Sequence, residues 1–81
     1  MKLHVHAVAR MRERGASEGA IASTLTGGER FGAKFGRSGF RRNFVFDGLW
    51  HGRRYHMRQV EVFAVREDGD WLVISVLVKY F

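Results

Sequence analysis

From residue 42 to residue 81 the chain switches hydrophobic side at every second residue. It does so in three runs, "RNFVFDG" (42–48), "RQVEVFAVRE" (58–67) and "WLVISVLVKYF" (71–81), all rich in Val, Ile and Phe. A period of two with β-branched and aromatic residues is the pattern of strands. "DGD" at 68–70 is a tight-turn signal and predicts a hairpin between the last two runs. "FDGLWHGRRY" predicts a turn at Gly48 or Gly52 between the first two. Residues 30–35 read as a further short strand, which makes three or four antiparallel strands in all.

The first third has a different period. "HAVARMRERG" (6–15) reads as a helix from His6 to Arg14, with Ala7, Val8 and Met11 on its apolar side and Gly15 just past its end. Ser17 suits the N-cap of a second helix, "EGAIASTLT" (18–26), with Ile21 and Leu25 as its buried pair. Gly27 and Gly28 end that helix. The expected fold is α+β: one domain over residues 1–81, with an N-terminal helical hairpin packed on one face of a three- to four-stranded antiparallel sheet.

The last run decides which face meets the helices. Strict alternation puts Leu72, Ile74, Val76, Val78 and Tyr80 on one side, continuously apolar and so toward the helices. Trp71, Val73, Ser75, Leu77, Lys79 and Phe81 fall on the other side, which is only half apolar. Such a face suits a binding groove, a contact between copies or a poorly covered surface.

Charge narrows the function. The net charge is +6, which favours an anionic partner: nucleic acid, an acidic protein or a membrane surface. The eight Lys and Arg residues from Arg30 to Arg58 face a single acid, Asp47, and aromatics stand between them. A cationic stretch interleaved with Phe, Trp and Tyr can hold phosphates while stacking bases. Alternating strand residues, aromatics inward and arginines outward, would produce the same pattern. Arg37, Arg41, Arg53 and Arg54 of this block, with Arg14 of the first helix, are the candidates for nucleic-acid contact. The chain has no cysteine, so disulfides and thiolate metal sites are excluded. No apolar run is long enough to span a bilayer, and "MKLHVHAVARMRERG" lacks the unbroken apolar core of a signal peptide. A cytoplasmic protein with no membrane partner is expected.

In the opening helix His6, Arg10 and Arg14 lie four residues apart on one side. Glu13 shares that side, and a solvated face with an Arg10–Glu13 pair accounts for the spacing as well as a phosphate site does. His4 and His6 could be read as two zinc ligands, but no third ligand is evident, so neither metal nor cofactor is expected. "GGERFG" lacks the lysine and spacing of a phosphate loop, and Ser75 has no partner base in sight.

The segments "HAVARMRERG", "GGERF", "RRNFVFDG", "GRRY", "VEVFAVRE" and "ISVLVKYF" resemble, over nearly the whole chain, a family of small bacterial domains with an H-A-x-x-R-M-x-x-R-G opening. That family is grouped with the RelE-like and barnase-like ribonuclease toxins. The resemblance implies a helix–helix–sheet plan and a toxin acting on RNA or the ribosome, with an acidic antitoxin as a further partner. It points to His6, Arg10, Arg42 and Lys79 as catalytic and to Arg41 and Tyr80 as nucleic-acid contacts. The toxin layout often has a strand before the helices, and here only "KLHV" is available for one. Cleavage of RNA without metal requires a base for the 2′-hydroxyl proton, an acid for the leaving 5′-oxygen and cations for the phosphorane. Histidine and arginine supply these. The expectation is therefore a metal-independent endoribonuclease. The alternative is a module that binds nucleic acid or an acidic protein without catalysis, as a topoisomerase-inhibiting toxin does.

Overall fold

The computed structural model describes residues 1–81. The elements are β1 (Lys2–Leu3), α1 (Val5–Arg14), α2 (Glu18–Gly27), β2 (Glu29–Gly32), β3 (Ser38–Trp50), β4 (Arg53–Glu67) and β5 (Asp70–Tyr80). They form one sheet in the order β1-β5-β4-β3-β2. The α+β class and the N-terminal helices are as expected, but the sheet has five strands and is mixed. The addition is β1, which pairs in parallel with β5 through Lys2 to Leu72 and Leu3 to Val73. "KLHV" is long enough for two such pairs before His4 turns the chain into α1.

Side-chain caps set both helices. The His4 Nδ1 accepts the amide of His6 at 3.1 Å, so α1 starts at Val5, one residue earlier than the sequence predicts. The Ser17 hydroxyl accepts the amide of Ala20 at 3.0 Å and caps α2 as expected. Gly15 ends α1 at φ 75°, ψ 34°, the left-handed region that glycine enters without steric cost.

The helices bury Ala7, Ala16, Ala20 and Ile21 against Phe40, Val60, Val62, Ala64, Val73 and Val76 of the sheet. The small helix residues let α1 and α2 sit close on the strands. Thr24 is fully buried there, and its hydroxyl donates to the Ala20 carbonyl at 2.7 Å, so that hydroxyl is not stranded.

Two irregularities reset the strands. Phe63 pairs with Ser75 but Ala64 pairs with Val73, so Ile74 is an extra residue in β5. Strict alternation fails at that point. Trp71 and Val73 join Val76, Val78 and Tyr80 on the helix side, while Leu72 and Ile74 do not. The second shift lies between Val45 and Gly48 in β3. The β3–β4 turn is made by His51 and Gly52, at φ 50° and 80°, while Gly48 pairs with Tyr55 just past a bulge at Phe46 and Asp47. Asp68 and Gly69 make the β4–β5 turn at φ 51° and 76°.

The far end of the β3–β4 hairpin folds back onto α1. Tyr80 stacks on Trp50 with ring centroids 4.9 Å apart and meets Phe46 edge-on at 5.1 Å. A Cβ on Gly15 would lie 2.6 Å from both Trp50 and Tyr80. The last carbonyls of α1 find donors here: Tyr80 Oη donates to Arg14 O at 2.7 Å and Arg58 Nη1 to Gly15 O at 2.7 Å. A cation at a helix C-terminus is also favoured by the helix dipole. No helix is long and apolar enough to cross a membrane.

Candidate nucleic-acid interface

The helices cover one face of the sheet, and the other face is open. Cross-strand register builds that open face in rows. One row runs Phe31, Gly39, Phe63, Ser75, and the next runs Glu29, Arg41, Glu61, Leu77. Phe31 lies on the backbone of Gly39, where any Cβ would meet its ring at 2.4 Å. It meets Phe63 edge-on, centroids 5.9 Å apart. The glycine thus seats one aromatic ring so that it can reach the next.

Phe31, Phe63, Ser75 and Leu77 form the floor of a groove of about 560 Å³. Its remaining lining comes from Arg10 and Arg14 of α1 and from residues 32–35 and Arg37 around the β2–β3 turn. Helix residues reach this side because β1 covers only Leu72 and Val73 of the β5 edge. Beyond them Arg14 Nη1 donates to the open carbonyl of Val76 at 2.6 Å. Four cations line the groove, and no carboxylate or imidazole does. Arg10 shares one donor with Glu13 at 2.7 Å. Lys34 and Arg37 form no ion pair, since neither is near enough to an acid.

Of the residues singled out by sequence, the groove gathers Arg10, Arg14 and Arg37. His6 is exposed one turn before Arg10, its ring stacked on His4 at 5.0 Å. Arg41 and Lys79 share the open face but are paired. Arg41 Nη2 bonds Glu29 at 2.9 Å and its guanidinium lies 4.9 Å from the Phe31 ring. That bond, with the charge behind it, holds the Glu29 carboxyl below the usual range and lifts Arg41. Lys79 Nζ meets Glu61 at 3.0 Å, and the Glu61 side chain is only 10% exposed. The lysine thus offsets an almost buried carboxylate.

Arg42 is on the helix-covered face, where Nη1 bonds the Ser23 hydroxyl at 2.7 Å and its carbonyl at 3.2 Å, tying α2 to β3. Tyr80 is on that side too, bonded to α1. Burial raises its phenol pKa, against an opposing pull from Arg58. Arg53 and Arg54 sit just after the His51–Gly52 turn, with Arg53 5.7 Å from the Tyr55 ring. The four residues expected as catalytic, His6, Arg10, Arg42 and Lys79, therefore do not form one cluster. Arg42 and Lys79 lie on opposite faces, because adjacent strand positions alternate sides. His51 lies against Trp50 in the turn, and His56 bonds Asp47 across the β3 bulge. No three His, Cys, Asp or Glu side chains gather where a metal could bind.

The geometry divides the opening motif by task. Ala7 and Met11 pack in or against the core. Arg14 and Gly15 lock the C-terminus of α1 to β5 and Trp50. His6 and Arg10 are the motif positions without a packing task. Sequence reasoning missed Phe31, Lys34, Phe35 and Phe63 as lining residues, though it put Ser75 and Leu77 on a face that suits a groove. The available signal was the half-apolar second face of the last strand. In comparisons with known proteins the chain matches no family model, no curated protein and no solved structure.

Proposed function

We propose that the protein is a small RNA-directed module of the RelE-like toxin type that binds single-stranded RNA in the open-face groove. One observation carries the reading: four cations, of which only Arg10 has an acidic partner, and no lining acid around a floor of two phenylalanines, a leucine and a serine hydroxyl. Arg10, Arg14, Lys34 and Arg37 take phosphate oxygens, the arginines through planar forks that keep free N–H donors. Phe31 and Phe63 offer apolar surface to a base, and Ser75 can donate or accept at its edge. RNA on the ribosome is as suitable as free RNA, and an acidic antitoxin would compete for the same cations.

Salt dependence tests the reading. Arg10→Ala with Arg37→Ala should weaken binding to a single-stranded RNA and reduce the log–log salt slope by about one to two units. Arg53→Ala with Arg54→Ala should change it less. An unaltered slope in a folded groove variant would overturn the assignment.

Cleavage is a second reading, favoured by the position of His6. It stands about 6 Å along the helix axis from Arg10, exposed and without a packing task. On this reading its imidazole takes the RNA 2′-hydroxyl proton as the 2′-oxygen attacks phosphorus, Arg10 holds the phosphate, and the P–O5′ bond breaks with water protonating the leaving 5′-oxygen. Cutting would survive EDTA and leave a 2′,3′-cyclic phosphate, and His6→Ala would cost about a hundredfold in rate. Intact RNA after incubation with pure protein, free or on ribosomes, would leave binding as the activity.

A further inference from the structure

We propose that Phe35 is the stacking residue of the groove, closing over an unpaired RNA base laid against Phe31 and Phe63. This deepens the RNA-binding reading and rests on it.

The β2–β3 turn carries its residue in an unfavourable place. Phe35 and Gly36 have φ 62° and 69°, the left-handed pair at the centre of the Lys34–Arg37 turn, inside the five-residue loop between β2 and β3. Such a turn favours Asn-Gly or Asp-Gly. The other non-glycine residues at positive φ are Asp47, His51 and Asp68, types that tolerate this region far better than a bulky side chain. Phe35 is moreover 86% exposed, the most exposed large hydrophobic side chain of the molecule. The ring thus gains no core packing in return for backbone strain.

Its position suggests what the ring serves. Phe35 lines the groove together with Phe31 and Phe63. The Arg37 guanidinium is 5.7 Å from its centroid, so a cation that can hold phosphate stands beside the ring. A nucleotide presents this pair of chemistries, an anion joined to a flat aromatic face. Base–aromatic stacking tolerates any base but requires it to be unpaired. The occupant is therefore a single strand. An extended acidic peptide would use the cations but not the ring.

Phe35→Asn separates function from folding, because asparagine fits the turn. The variant should gain about 4 °C or more in Tm, as expected from relief of left-handed strain in a domain of this size. It should lose about tenfold or more in affinity for single-stranded RNA. Phe35→Trp should retain that affinity and show tryptophan quenching on RNA addition beyond that of the wild type. Poly-glutamate binding should be unaltered by Phe35→Asn. Wild-type RNA affinity in Phe35→Asn, with loss in Arg10→Ala/Arg37→Ala, would overturn the role of Phe35 and leave the groove reading standing. Unaltered affinity in both variants would overturn both. Equal losses for RNA and poly-glutamate in Phe35→Asn would overturn the stacking of a base in favour of peptide.

Discussion

Gly15 answers two demands at once. Its backbone is left-handed, and the space a side chain would fill is taken by Trp50 and Tyr80. Gly15→Ala should therefore cost about 3 kcal/mol, part from backbone strain and part from overpacking. Denaturant unfolding checks the magnitude, and altered Trp50 fluorescence would locate it. Tyr80 supplies a pH signature. Burial raises its folded-state pKa, so its share of stability is whole below the ordinary tyrosine value of about 10. That share falls away as pH climbs through the raised value, when the phenol can no longer donate to Arg14 O. Tyr80→Phe should remove this part of the alkaline loss, read as Tm against pH beside the wild type. Single residues were legible where one side chain or one φ decides the matter: Gly15 and Ser17 both cap as the sequence predicts. His4 was not legible as a cap, because imidazole seldom plays that part and its ring rotation depends on local geometry. The pairing of Lys79 with Glu61 was hidden as well, since it depends on the register between β4 and β5.

At the scale of elements, alternation located β3, β4 and β5 but not their phase. One extra residue, Ile74, moves the core side of β5 from Leu72 and Ile74 to Trp71 and Val73. No local signal announces a bulge in an all-apolar run, since either phase buries similar side chains. The two phases make opposite predictions. Val73 is fully buried, so Val73→Ala should cost about 2 kcal/mol, and Ile74→Ala should cost less despite removing more atoms. Urea midpoints for the two variants decide it, and a larger loss at Ile74 would restore unbroken alternation. β1 escaped a period-based reading because two residues contain no period; only pairing with β5 makes them a strand. The helices were easier to read, because each carries its own boundary chemistry.

Across the whole molecule, the +6 charge predicts an anionic partner but not which side it meets. The arginines divide between tasks. Arg14, Arg42 and Arg58 bond helix or strand carbonyls or the Ser23 hydroxyl. Arg41 pairs with Glu29, and Arg37 lines the groove without an acidic partner. A basic block read along the sequence merges these roles, because neighbouring strand residues face opposite ways. Arg41 and Arg42 are adjacent in sequence but sit on opposite faces. The groove was legible only as an unexplained half-apolar face of β5. The turn that carries Lys34, Phe35 and Arg37 over it is a tertiary feature.

The central claim is that RNA lies on the open face, and backbone amide shifts under titration with a short single-stranded RNA test it most directly in a chain of 81 residues. RNA in the groove should shift the amides of Gly32 to Phe35, Phe63, Ser75 and Leu77 most, and that of Arg10 more weakly. Shifts confined to α2 and the His51–Gly52 turn, with the groove silent, would contradict it.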